Sequence, residues 1–159
     1  MNHGLKLMAL GLFCFGCAGP QATTAAVTSP AALTKPATVI HDSEAVQAAP
    51  PSQKATITHL AEGVNAYLGR LWLAAGAQVP LHRDPTEEYL YILEGSGELT
   101  MDGQTYQLQP GHAVYMPAGA EVTFKNGDQP LMAVQIFAGS ESAKKYEKWG
   151  TVKASPTQP

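Results

Sequence analysis

The sequence has little cysteine, little charge and no long apolar run. Its 159 residues include two cysteines, Cys14 and Cys17, so everything after residue 17 must fold without disulfides. The 10 basic and 13 acidic residues form no basic stripe, which predicts that nucleic acid is not a partner. The sequence also lacks a Gly-x-Ser-x-Gly elbow and a phosphate-binding loop, so no motif indicates a nucleophilic or nucleotide-dependent enzyme.

The clearest apolar run is the ten-residue segment LMALGLFCFG, which follows Lys6. About 20 apolar residues are needed to cross a bilayer, so residues 1–17 are predicted to be an export signal. Cys17, preceded by Gly16, resembles the lipidation cysteine of bacterial lipoproteins; the alternative is ordinary cleavage after Ala18 without a lipid. We therefore expect an exported bacterial protein of the cell envelope, in the periplasm or on the outer membrane, held to the membrane by a lipid anchor.

Residues 18–53 have the composition of a linker. Of these 36 residues 10 are Ala, 5 are Pro and 5 are Thr, and no apolar periodicity persists through them. The sequence predicts a disordered tether here, a folded domain over residues 54–149, and a loose tail over residues 150–159.

The predicted domain consists of short strands between turn signals, which indicates an all-β protein: a small antiparallel β-barrel or jelly roll. Asp102-Gly103 and Asn126-Gly127 are predicted to lie at hairpin turns. A short C-terminal helix is predicted over residues 141–149, with Ser140 as its cap. Tyr89 and Tyr91 are expected to pack between the sheets or at the interface of a homodimer.

Two motifs in this domain resemble the signature motifs of the cupin superfamily. The first spans residues 76–95 and the second spans residues 111–126. The positions that agree are the glycines, a proline, an asparagine, one histidine and one glutamate: Gly76, His82, Glu88, Gly95, Gly111, Pro117, Gly119 and Asn126. Two positions differ, because Asp84 and Val122 stand where the family usually has histidine.

The resemblance implies that these motif positions line the mouth of the barrel and hold a metal. The implied metal ligands are His82, Asp84 and Glu88, with iron, manganese or zinc as the candidate divalent metal. Val122 would be an apolar wall where the fourth ligand is missing. Phe124, two residues further on, is expected in the core and belongs with these four to the predicted ligand pocket.

A structural role for the same residues remains open. Asp84, just before Pro85, fits a turn residue that caps backbone N–H groups, and Glu87 and Glu88 fit solvated residues at the rim. His82 would then be an ordinary hydrogen-bonding residue.

Three functions are consistent with the sequence. The first is a surface-tethered cupin lipoprotein that binds a small polar ligand in the barrel mouth, with little or no catalysis. The second is a metal-dependent cupin enzyme of the oxygenase or isomerase type that uses His82, Asp84 and Glu88. The third is a structural module of the envelope.

Overall fold

The fold is built from antiparallel strands, as the alternation of apolar residues and turn signals predicts. The computed structural model describes Met1 and residues 35–152, and within them eleven strands and two short 3-10 helices form. The helices are Asp42–Glu44 and Ser142–Lys148. The strands are β1 (Gln47–Ala49), β2 (Ala55–Glu62), β3 (Tyr67–Leu73), β4 (Gln78–His82), β5 (Glu87–Glu94), β6 (Gly97–Met101), β7 (Gln104–Leu108), β8 (Ala113–Met116), β9 (Val122–Asn126), β10 (Leu131–Ala138) and β11 (Gly150–Val152).

The strands form two sheets. The larger has the order β11-β1-β2-β3-β10-β5-β8, and the smaller has the order β4-β9-β6-β7. Neighbouring strands pair antiparallel throughout, for example β10 with both β3 and β5. This arrangement confirms the predicted all-β jelly roll.

The buried residues form two clusters. The barrel cluster lies between the sheets and is mainly aliphatic: Leu73, Ala77, Ile92, Leu99, Leu108, Met116, Ala120, Val122, Phe124, Leu131 and Ala133. The terminal cluster is mainly aromatic and includes residues from near both chain ends: Ala48, Ile57, Tyr67, Phe137 and Tyr146, with Trp149 packed against them. Phe124 therefore belongs to the core, as predicted.

One of the two predicted hairpin turns forms. Asp102 and Gly103 both have positive φ, 47° and 80°, as a two-residue turn between β6 and β7 requires. The prediction for Asn126-Gly127 is wrong, because β9 and β10 lie in different sheets. Asn126 is buried, and its side-chain amide donates to the carbonyls of Leu73, Ala74 and Gln129, which fixes the crossing between the sheets.

Gly95 shows why a motif glycine is required. Its φ is 77°, and a Cβ at this position would lie 2.3 Å from the carbonyl oxygen of Pro130. Any side chain here would push apart β5 and the segment that leads into β10.

The predicted boundaries at residues 53 and 150 are wrong. β1 pairs with both β2 and β11, so residues from the predicted tether and the predicted tail belong to the larger sheet. Ala48 and Ala49 are buried there. The composition concealed this strand, because three residues with small side chains can complete a sheet edge without an apolar pattern of their own.

The predicted C-terminal helix is a 3-10 helix, Ser142–Lys148, and Ser140 does not cap it. Glu141 occupies the N-cap position and makes no side-chain capping bond. The side chains of Ser142, Lys145 and Tyr146 instead bond to residues of the strands or of the loop that precedes β5. These bonds favour a tight, short turn over a regular α-helix.

Tyr89 and Tyr91 are exposed on the outer face of the larger sheet and do not pack between the sheets. The homodimer remains a prediction. The export signal and Cys17 lie outside the described residues. In the part of the chain that the structure describes, no helix has the length and apolar character needed to span a bilayer.

Candidate functional site

His82 is the last residue of β4, and its imidazole has a defined orientation. Its Cα pairs with that of Val122 across the sheet. The Nδ1 atom lies 2.9 Å from the carbonyl oxygen of Pro80, so Nδ1 carries the proton that makes this bond. The other nitrogen, Nε2, faces Asp84 at 3.6 Å.

Glu88 lies near the start of β5 and points into the barrel together with Leu90 and Ile92, as the alternation of a strand requires. Its Oε1 accepts a 2.6 Å hydrogen bond from the side-chain amide of Gln135. The hydroxyl of Tyr146 donates to Gln135 Oε1 at 2.6 Å and thereby fixes the orientation of that amide.

Burial changes the acidity of Glu88. Removal from water, with a smaller contribution from the neighbouring Asp84 carboxylate, raises the pKa of Glu88 from 4.5 to about 7. Lys145 and the bond from Gln135 oppose this rise. Glu88 therefore exchanges a proton near neutral pH.

Asp84 forms an ion pair with a residue from the far end of the chain. The Nζ atom of Lys145 lies 2.8 Å from Oδ2 and 3.1 Å from Oδ1 of Asp84. The backbone carbonyl of Asp84 accepts a 2.7 Å bond from the N–H of Gly119, which ties the loop of the second motif to the first.

The three predicted ligand residues converge. One side-chain atom from each of His82, Asp84 and Glu88 lies within 4.8 Å of the others. The structure therefore contains the His/Asp/Glu group that the motif spacing implies.

This polar group lines a cavity of about 630 Å³. The walls are largely aliphatic, and Val122 and Phe124 belong to them. Lys54, Pro80 and Arg83 line the exposed part, where Arg83 donates to the carbonyl of Gly119 and pairs with Glu121. An apolar cavity with a few convergent polar groups is the usual form of a small-molecule site.

The residues present do not fit a resident metal. Lys145 holds both oxygens of Asp84, and Gln135 occupies one oxygen of Glu88. Val122, opposite His82, offers no donor atom. A metal would have to bind beside an ammonium group, with one imidazole nitrogen as its only nitrogen ligand.

The structural alternatives for these residues are partly excluded. The Asp84 carboxylate pairs with Lys145 instead of capping a turn, and Glu88 is buried instead of solvated. Glu87 alone matches the expectation of a rim residue, where it accepts bonds from the hydroxyls of Tyr89 and Tyr115.

Sequence reasoning missed three residues of the site: Gln135, Lys145 and Tyr146. Gln135 could have been found, because it is a polar residue on the same face of β10 as the buried Ala133 and Phe137. Lys145 lies 61 residues after Asp84, and no spacing rule connects them.

Comparison with known proteins identifies the family. The model of the cupin domain matches residues 70–137. Residues 70–137 are a cupin domain. Asp84, Glu88 and Gln135 of this cupin lie within the matched residues, whereas Lys145 and Tyr146 lie beyond them.

Two solved structures support the same fold. A RmlC-like cupin from Shewanella frigidimarina NCIMB 400 has a TM-score of 0.63 and 13% identity, covering 70% of this chain and 97% of the other. KdgF from a Halomonas species has a TM-score of 0.60 and 14% identity, covering 65% and 94%. At these identities the likeness shows the fold alone.

Among curated proteins, the cupin is similar to dimethylsulfoniopropionate lyase DddQ of Ruegeria pomeroyi. The two are 34% identical over 70 residues, which cover 43% of this chain and 35% of the lyase. The chain spans between 35% and 58% of the length of the curated relatives it matches.

Proposed function

We propose that this protein is a cell-envelope cupin that binds a small molecule in the barrel cavity, with little or no catalysis. The observation that carries the proposal is the cavity itself, about 630 Å³ in volume, with largely aliphatic walls and a cluster of polar side chains. Sites for small ligands have volumes of about 300 to 1,000 Å³ and this division between apolar walls and polar anchors.

The cluster of polar side chains favours a ligand with a hydrogen-bonding head and an apolar body. Asp84 is neutralised by Lys145, so among the three motif residues Glu88 and the Nε2 atom of His82 are left to contact a ligand. Because Glu88 has a pKa near 7, it can donate a hydrogen bond or accept one. The apolar body of the ligand would lie against Leu90 and Val122.

The location in the envelope is part of the proposal and rests on the N-terminal sequence. Cys17 would carry the lipid, and the Ala/Pro/Thr-rich residues after it would hold the domain away from the membrane. Cell fractionation tests this: Cys17→Ser should release the protein from the membrane, and Cys14→Ser should leave it bound. Mature protein that begins after Ala18 without acyl chains would contradict the anchor.

Ligand binding is tested with a defined probe set and a variant that blocks the cavity. The probes are short-chain carboxylates, sugar acids, amino acids and dimethylsulfoniopropionate, assayed by thermal shift and then by calorimetry. Val122→Trp places an indole in the cavity, and Thr123→Trp, one residue along β9, is the matched control. We expect a binding probe to lose roughly tenfold or more in affinity in Val122→Trp, about the effect of one blocked apolar contact.

A probe that binds the wild type and Val122→Trp equally well would place its site outside the cavity. A set in which no probe binds, together with no small molecule extracted from the purified protein, would contradict the proposed function.

An enzyme is the second candidate. Two observations favour it: the pKa of Glu88 suits a general acid or base at neutral pH, and DddQ, with 34% identity over 70 residues, is a dimethylsulfoniopropionate lyase. In such an elimination Glu88 would take a proton from the carbon beside the substrate carboxylate. The carbon–sulfur bond would break with its electron pair leaving on sulfur, giving dimethyl sulfide and acrylate.

Gas chromatography of dimethyl sulfide separates the two candidates. Each reaction contains the protein and dimethylsulfoniopropionate, with and without added iron, manganese or zinc, and Glu88→Gln is the control. We expect no release above that control. Turnover by the wild type that Glu88→Gln abolishes would favour the enzyme, and turnover that requires added metal would favour the metal-dependent form.

A further inference from the structure

The side chain of Lys145 supplies a positive charge in this site. The Lys145 ammonium contacts both carboxylate oxygens of Asp84, at 2.8 and 3.1 Å. The same Nζ atom lies 4.7 Å from the centre of the Phe137 ring and 5.6 Å from that of Tyr146. Aromatic faces attract ammonium groups, so these contacts hold the charge on the cavity side of the terminal cluster.

Contacts of the residues before and after Lys145 hold this segment in place. Before it, the Ser142 hydroxyl bonds to the Thr86 hydroxyl at 2.6 Å, close to the start of β5. After it, Tyr146 is buried and bonds to Gln135, and β11 pairs with β1. The ammonium therefore occupies a position that the packing of the fold defines.

That position competes with a metal ion. A metal bound to Asp84 lies about 2.0 to 2.2 Å from the carboxylate oxygen, which places it within about 5 Å of the Lys145 ammonium. Like charges at this distance repel strongly in a partly buried site. Lys145 also lies outside residues 70–137, the part of the chain that matches the cupin family.

We propose that the Lys145 ammonium is the resident cation of this cupin site and excludes a divalent metal from His82, Asp84 and Glu88. A side chain of the C-terminal segment thus supplies the positive charge that balances the carboxylates. A ligand in the cavity then contacts Glu88 and His82 directly, without a metal bridge. This inference rests on the proposed function and adds that ligand binding at this site needs no metal.

Manganese titration of the full chain tests the proposal. Free Mn²⁺ is counted by electron paramagnetic resonance in the wild type, in Lys145→Met, and in Lys145→Arg, which keeps the charge. Lys144→Met removes an exposed lysine from the neighbouring position and is the matched control. We expect Lys145→Met to bind one Mn²⁺ at least roughly a hundredfold more tightly than the wild type, because the repelling charge is gone. The arginine variant and the control should bind as weakly as the wild type.

Asp84→Asn added to Lys145→Met should remove the gained affinity, which would show that the metal binds at this carboxylate. If Lys145→Met does not fold, Lys145→Gln takes its place, since its amide can still donate to Asp84. The proposal is overturned if the wild type binds Mn²⁺ stoichiometrically with an affinity equal to that of the Lys145 variants.

These outcomes are distinct from failure of the proposed function. The binding probes and Val122→Trp test whether the cavity takes a ligand, whereas the manganese titration tests only which cation the site holds. A wild type that binds both a metal and a probe would overturn the present inference and leave ligand binding intact.

Discussion

The barrel cluster and the terminal cluster differ in the type of apolar side chain and in how these side chains pack. The aliphatic barrel cluster surrounds a cavity of about 630 Å³. In the terminal cluster the rings of Tyr67, Phe137, Tyr146 and Trp149 contact one another, with centroids 4.8 to 6.4 Å apart. The aromatic rings of the terminal cluster therefore pack against one another, whereas the aliphatic barrel cluster leaves space between its side chains.

The two clusters meet at the functional site. Tyr146 belongs to the terminal cluster and orients Gln135, which in turn holds Glu88 in the cavity. Lys145, its neighbour, pairs with Asp84. The terminal cluster therefore positions polar side chains that line the cavity.

Removal of β1 should produce the largest effect on stability. A chain that begins at Gln53 lacks the buried Ala48 and Ala49 and leaves β11 without its partner strand. We expect its melting temperature to fall by at least about 10 °C, since 1 kcal/mol corresponds to roughly 4–8 °C in a domain of this size. Differential scanning calorimetry measures the change.

A chain that begins at Lys35 is the control and should melt close to the full chain, because it keeps β1. Equal melting temperatures for the chains beginning at Lys35 and Gln53 would show that the terminal cluster does not depend on β1.

Replacing one alanine in each cluster by leucine tests whether the terminal cluster is more tightly packed than the barrel cluster. Ala48 lies in the terminal cluster, and Ala133, completely buried, faces the cavity. We expect Ala48→Leu to destabilise the protein by about 1–3 kcal/mol through overpacking. Ala133→Leu should be neutral or stabilise by up to about 2 kcal/mol, because it buries new methyl groups in existing space. Urea denaturation gives both values, and equal losses in the two variants would contradict the contrast.

A further prediction concerns the dependence of stability on pH. The pKa of Glu88 is raised from 4.5 to about 7, so the folded state binds more protons than the unfolded state between these values. The contribution of Glu88 to stability is therefore complete below pH 4.5 and decreases as the pH rises through 7, by up to roughly 3 kcal/mol. Glu88→Gln should lack this decrease.

Urea denaturation of the wild type and Glu88→Gln at pH 5 and pH 8 tests the sign. The difference in unfolding free energy between the two proteins should shift in favour of Glu88→Gln at the higher pH. Glu87→Gln controls for the loss of one partly exposed charge. If the difference in unfolding free energy instead shifts in favour of the wild type at the higher pH, the fold stabilises Glu88 as a carboxylate.

Local signals in the sequence predicted much of the fold. The alternation around Leu90 and Ile92, the turn at Asp102-Gly103 and the spacing of the motif glycines indicated the sheets and the cupin fold correctly. The terminal strands were missed, since Gln47–Ala49 and Gly150–Val152 acquire their structure only by pairing with each other and with β2.

The site was predictable where a motif specifies it. His82, Asp84 and Glu88 converge as their spacing implied, and Val122 lies opposite His82. Lys145 was not predictable, because its place depends on how the segment after β10 folds back across the barrel. That one contact with Asp84 changes the interpretation of the site from a metal centre to an ion-paired pocket.

Native mass spectrometry of the full-length protein, purified without added metal, shows whether the cavity holds an organic molecule or a metal ion. We expect any stoichiometric non-covalent mass to belong to a small organic molecule, and we expect Val122→Trp to lose it. Neither protein should carry a bound metal. A stoichiometric metal ion in the wild type, retained in Val122→Trp, would show that the site is a metal centre after all.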